Sequence, residues 1–201
     1  MGADKALLAF AGIPMLERAV RTASEVCSRL LVLGRDRAPE AWPAALKVEW
    51  WPDAAGPGEE PQGPMPALMA ALARAAQPLL LVACDMPLLT AGTLRLLLDA
   101  HRSEAAATVA TSRDSQGGEF VEPALAVYAP ACIPILRKLL ETERGSFQGL
   151  KRLPQVRRWP VPEERAIELS NVNTPEALRR ALEAYQARSA SGGFSAESDE
   201  R

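Results

Sequence analysis

Histidine is almost missing from this chain: His101 is the only one. It falls near an expected helix C-terminus, where a cation suits the macrodipole, and it is not read as a catalytic base. Cysteine is nearly as scarce. Cys27, Cys84 and Cys132 are odd in number, widely spaced and set among apolar residues. That pattern suits buried thiols in a reducing compartment and argues against a disulfide framework or a zinc site. An excess of one charge is also lacking, since 23 basic residues face 25 acidic ones and the formal charge is −2. Without a basic block there is no electrostatic footprint for nucleic acid, so a small-molecule substrate is expected. No apolar run approaches the roughly 20 residues that span a bilayer. The first residues also lack a basic stretch leading into an apolar one and a cleavage site. No membrane association and a cytoplasmic location are therefore expected.

What the chain does have is apolar residues at 48% of 201, enough for one proper core. Short Val- and Leu-rich runs at 29–33, 46–51, 78–83, 106–111 and 124–128 read as strands. Between most of them apolar residues recur at helical spacing, as in Met15, Leu16, Ala19, Val20, Ala23 and Val26, or Leu94, Leu97 and Leu98. Thr90 is placed to cap one helix. Thr174 followed by Pro175 and Glu176 is placed to start the last, expected to run to about Tyr185. The run at 79–83 has no polar alternation and predicts a strand covered on both faces. Strands alternating with helices predict a Rossmann-like, doubly wound α/β architecture with a mostly parallel sheet. One domain is expected over 1–186, with a disordered Ser- and Gly-rich tail at 187–201. The Gly-, Pro- and Glu-rich stretch 53–63 is expected to be a lid or binding loop.

In an open parallel sheet the ligand crevice lies beyond the carboxyl ends of the strands. Asp85, in LLLVACDMPLLT, stands at such an end. A carboxylate there can hold Mg²⁺ against a nucleotide's phosphates, or can simply cap the turn before Pro87. Lys5, in MGADKALL, follows a glycine closely. It can neutralise charge on leaving phosphates or be an ordinary solvated charge. Asn171 and Asn173, in SNVNTPEAL, alternate at the end of an expected short last strand, just before a helix. Alternation puts both amides on one face near an anion-favouring helix start, although capping alone accounts for such residues. In QGPMPALMAAL, turn chemistry accounts for Gly63 and Pro64. Gly145 and Ser146 are expected to open a helix. Trp42, Trp50, Trp51 and Trp159 are read as core or interface aromatics, with a pterin-facing wall as the alternative.

Taken in order, MGADKALL, GPMPALMAAL, VACDMPLL, EPALAVY and SNVNTPEAL resemble the motifs of the molybdenum cofactor guanylyltransferases, from Met1 to about Tyr185. The resemblance implies a nucleotidyltransferase that takes GMP from GTP with Mg²⁺ and joins it to the terminal phosphate of molybdenum-bearing molybdopterin, releasing pyrophosphate. It implies that Lys5 binds nucleotide phosphates, Asp53 the nucleoside, and Asp85 the metal. Asn171 and Asn173 would lie near the metal or the pterin phosphate, and contacts with other proteins handling this cofactor are implied as well. The chain departs from the family in three places. Gly34 stands where a polar amide is frequent, Pro66 stands where a small residue is usual, and no first strand with a loop of the type Leu-Ala-Gly-Gly-x-x-x-Arg is found. That strand would lie mid-sheet and its loop would cradle the triphosphate. The expectation drawn is that Met1 is an internal methionine of a longer reading frame. A related enzyme using CTP, or one acting on a sugar or alcohol phosphate, stays open, as does a non-catalytic scaffold descended from such an enzyme.

Overall fold

The computed structural model describes residues 4–52, 63–113, 117–142 and 146–190. The chain opens with a 3-10 turn, Lys5–Leu7, and a hairpin of β1 (Ala9–Phe10) and β2 (Ile13–Pro14). Then follow α1 (Met15–Ser24), β3 (Leu31–Leu33), β4 (Glu49–Trp51), α2 (Pro64–Ala75), β5 (Leu79–Val82), α3 (Ala91–Ala100), β6 (Ala107–Arg113) and β7 (Glu119–Tyr128). The last elements are α4 (Ile133–Thr142), β8 (Val156–Pro160) and α5 (Pro175–Ala190), with 3-10 turns at Phe147–Arg152 and Glu163–Leu169.

The architecture is α/β, with helices on both faces of the main sheet. Its strands lie in the order β5-β7-β6-β8, while β3 and β4 form a separate parallel pair. β6 and β8 are parallel, and β7 runs antiparallel to both β5 and β6. Side chains alternate across β6 and β7, so Val109, Val121, Ala126 and Tyr128 face Met65 and Leu72 of α2 and Leu136 of α4. Ala110, Leu125 and Val127 face the opposite layer, which holds Leu94 and Leu97 of α3.

Local chemistry explains several boundaries. Thr90 caps α3, its hydroxyl accepting from the Thr93 N–H at 3.3 Å. Thr174 accepts from the Ala177 N–H at 3.1 Å and starts α5. Ser146 caps the 3-10 turn that follows it, while Gly145 lies outside the described residues. Pro66 falls in the first turn of α2, where a backbone N–H has no helical partner to lose. Gly34 has φ +83, a left-handed conformation that glycine adopts freely, and its N–H donates to the Trp51 carbonyl at 2.9 Å.

Other expectations need correction. Asn171 and Asn173 follow the 3-10 turn Glu163–Leu169 and not a strand; the last strand is β8, which the charged run VRRWP hides from a hydrophobicity reading. Leu46 belongs to a turn, its N–H bonded to the Pro43 carbonyl at 3.0 Å, so β4 starts only at Glu49. Residues 187–190, assigned to the tail, prolong α5 because the helical pattern continues to Ala190. Residues 191–201 and the expected lid at 53–62 lie outside the described residues.

The largest correction concerns β5. All four of its residues are only half-buried, although the run was expected to be covered on both faces. A cavity of about 810 Å³ lies between β5 and β3, lined by Leu31, Leu33, Leu80 and Val82 and walled by Ala19 of α1 and Ala67 of α2. Both strands turn open backbone edges towards it. Glu49 N–H bonds the Leu30 carbonyl and Gly34 N–H the Trp51 carbonyl, each at 2.9 Å, so alternation directs the backbone groups of Leu31 and Leu33 away from β4. On β5, the Ala83 N–H bonds the Ala124 carbonyl at 2.8 Å. By the same alternation Leu79 and Leu81 pair with β7, and Leu80 and Val82 face the cavity.

Candidate functional site

The site is built at the carboxyl ends of β3 and β5. Asp85 lies just beyond β5, and its own carbonyl accepts the Val172 N–H at 2.8 Å, which ties the loop after β5 to the segment carrying the asparagines. Val172 is buried, so the residues on either side of it, Asn171 and Asn173, face outward. Lys5 is held in the first 3-10 turn, where the Asp4 carboxylate accepts the Ala6 N–H at 3.1 Å. Asp4 also pairs with Arg35, just past β3, which fastens this turn to the end of that strand.

Three of the expected residues come together. The Lys5 ammonium donates to Asn173 Oδ1 at 3.2 Å, and both the Asn173 side chain and the Lys5 charge lie close enough to favour the charged form of the Asp85 carboxylate. Asp85 Oδ1 is buried and has no hydrogen-bond partner. Burial raises the Asp85 pKa above the usual carboxylate value, opposed by a backbone hydrogen bond, the Asn173 amide and the Lys5 charge. Asn171 shares the outward side of the segment but makes no hydrogen bond among the described residues. Asp53 lies outside the described residues.

The sequence reading passed over several contributors. Glu122 of β7 lies close enough to Asp85 to feel its charge. Its carboxylate accepts from Ser112 Oγ at 3.3 Å. Burial raises the Glu122 pKa, with the nearby Asp85 charge acting the same way. The Tyr128 hydroxyl donates to the Pro123 carbonyl at 2.8 Å and holds β7 in the irregular stretch beside Glu122. Arg18 stacks over Phe10 and Tyr185, about 5 Å from each ring, and donates to the Pro87 carbonyl at 3.4 Å. None of these has a sequence signal of its own, because each contact depends on how the strands and turns are placed in three dimensions.

The remaining expectations resolve as structural features. His101 caps the C-terminus of α3 and bonds Thr108 Oγ1 at 2.9 Å. Trp42 and Trp50 meet edge to face at 4.9 Å, and Trp51 is buried under the Arg74 guanidinium. The cysteines are free thiols, and burial pushes Cys132 up to about 12. Cys84, next to the acid, is also raised, first by burial and then by the Asp85 charge. It therefore stays protonated and is a poor nucleophile. No helix among the described residues is long and apolar enough to cross a membrane.

A carboxylate with an unsatisfied buried oxygen, a lysine and an amide form a site suited to a cation and a phosphate chain. Comparison with known proteins identifies the family and the fold. The MobA-like NTP transferase domain family matches residues 1–157. A probable molybdenum cofactor guanylyltransferase of Synechococcus elongatus is 34% identical over 181 residues, covering 87% of this chain and 88% of that protein. A counterpart in another Synechococcus strain has the same identity and coverage. Among solved structures, molybdopterin-guanine dinucleotide biosynthesis protein A from Archaeoglobus fulgidus superposes with a TM-score of 0.68 at 23% identity, covering 92% of each chain. The 2-C-methyl-D-erythritol 4-phosphate cytidylyltransferase of Thermus thermophilus superposes with a TM-score of 0.64 at 16% identity, covering 92% of this chain and 95% of that one. These two structures establish the shared fold.

Proposed function

The chain belongs to the MobA-like NTP transferase domain family, a family of nucleotidyltransferases, and from that premise we propose that it transfers GMP from GTP to molybdopterin in molybdenum cofactor synthesis. The observation that carries the proposal is the unpartnered buried oxygen of Asp85 beside Lys5 and Asn173. The name of the 34%-identical relatives supports guanine as the base and the molybdenum cofactor as the acceptor.

In this reading the terminal phosphate oxygen of molybdopterin attacks the α-phosphorus of GTP. The bond from that phosphorus to the bridging oxygen breaks, and pyrophosphate leaves with the bond's electron pair. Lys5 neutralises phosphate charge, and Asn173 orients both Lys5 and Asp85. Positioning and charge neutralisation supply most of the acceleration, as is general for phosphoryl and nucleotidyl transfer. A Mg²⁺ ion fits the residues present: Asp85 offers a buried hard oxygen with no hydrogen-bond partner, and the Asn173 side chain stands beside it. Magnesium commonly takes one or two carboxylates plus substrate phosphates, and when bound it would screen the charge on those phosphates. Asp53 is proposed to meet the nucleoside. With Cys84 protonated, no covalent enzyme intermediate is proposed.

Pyrophosphate release from GTP, CTP, ATP and UTP, each with molybdopterin and Mg²⁺, tests the function. Preference for GTP is expected. Equal use of all four nucleotides overturns the proposal.

A further inference from the structure

Glu168 is almost fully buried, at 3% exposed, and the site chemistry above does not use it. Its carboxylate accepts from the Thr90 N–H at 3.0 Å, from Thr90 Oγ1 at 2.8 Å and from Thr93 Oγ1 at 2.6 Å, all at the start of α3. Arg165 pairs with it at 3.3 Å and Arg188 of α5 at 3.8 Å. Arg165 also donates to Thr93 Oγ1 at 2.9 Å. A Cβ at position 92 would come within 3.3 Å of its guanidinium, so Gly92 makes room for the arginine to lie against α3.

The location of this cluster gives it meaning. Thr90 ends the loop that Asp85 begins, and Glu168 precedes the asparagine segment by three residues. Val172 N–H to Asp85 O joins the two segments at one end, and Glu168 to Thr90 joins them at the other. Arg188 adds α5, the helix that follows the asparagines. An apolar residue at position 168 could fill the same volume, but it would let the two segments slide. A carboxylate with three donors and two cations accepts one alignment.

Resting on the proposed reading of the site, we infer that Glu168 is a positioning residue whose buried carboxylate latches the asparagine segment to the Asp85 loop and thereby fixes Asn173 against Asp85. It touches neither substrate nor metal. The test compares Glu168→Gln and the milder, isosteric Thr93→Val with the parent chain in two readouts.

The first readout is amide hydrogen exchange. The Val172 and Thr90 amides should exchange at least tenfold faster in Glu168→Gln and by a smaller factor in Thr93→Val, while the Val109 amide in the core is unchanged. Uniform acceleration at all three, or none, overturns the inference, since it would mean a general stability role or no role. The second readout is pyrophosphate release, where Glu168→Gln should lower kcat about tenfold with KM for GTP nearly unchanged. An active parent with an equally active Glu168→Gln chain also overturns it. A parent inactive with every nucleotide would count against the proposed function and leave the exchange comparison to decide the latch.

Discussion

β5 and β6 are both apolar strands of one sheet, yet they sit in opposite circumstances. The first five residues of β6 are buried between paired neighbours, while β5 has a partner on one side only and is half-buried throughout. Composition does not cause the difference, as β5 is the more hydrophobic of the two. Burial belongs to the neighbourhood: β6 lies between β7 and β8, while β5 borders a cavity of about 810 Å³. The polar site shows the reverse arrangement. At the end of the open strand, Lys5 and Asn173, from distant parts of the chain, are joined by a hydrogen bond beside Asp85. The lesson is that the half of the sheet next to the cavity is organised chiefly by polar contacts at its rim, and the other half by packing.

The sharpest way to break that comparison is at Asp85. Replacing it with asparagine should lower GMP transfer by at least ~100-fold, since the carboxylate charge at the phosphate site is lost. The same change should raise thermal stability at neutral pH in metal-free buffer. The sign follows from burial, which lifts the Asp85 pKa above its unfolded value. The folded state then holds the proton more tightly, so stability is greatest below the unfolded pKa and falls as pH rises through the folded one. Asp85→Asn should weaken that fall, read as the melting temperature against pH. Mg²⁺ should stabilise the parent and not the variant.

Packing supplies the next test. Leu125→Ala, in the closed half, should cost about 2–5 kcal/mol, because a fully buried leucine leaves a cavity. Leu80→Ala, on the open strand, should cost less than about 1.5 kcal/mol, since its side chain is only partly buried. Urea unfolding of both variants measures the contrast, and equal losses would contradict it.

Lys5→Met should raise KM for GTP by about tenfold through loss of a phosphate-facing cation, with little change in melting temperature, because Lys5 is exposed. Steady-state kinetics against GTP concentration checks this. The smallest effect expected is from Tyr128→Phe, about 1 kcal/mol for the lost hydrogen bond to the Pro123 carbonyl. It should be accompanied by faster exchange of the β7 amides beside the irregularity between Val109 and Ala110 in the facing strand.

Much of the framework was legible in the sequence. Apolar runs located β3, β5, β6 and part of β7, and Thr90 and Thr174 announced their helices, because strand burial and helix capping are short-range effects that leave a local pattern. Lys5, Asp85, Asn171 and Asn173 were each singled out from their place in the chain and then by motif resemblance, and the structure brings Lys5, Asp85 and Asn173 together. β8 was not, because an edge strand with arginines outward lacks an apolar run. The reversal of β7 was not legible either, since direction is set by the partner strands and not by the residues of the strand itself.

The chain by itself determined the alternation of strands and helices, the caps that begin α3 and α5, and the acid placed after an apolar strand. Those depend on neighbours a few residues apart. Only the tertiary structure decided that Asp85 keeps a buried oxygen free, that Glu168 joins two segments across the site, and that β3 and β5 face each other over a cavity. Each of these depends on contacts between residues tens of positions apart, whose geometry is fixed only when the whole core packs.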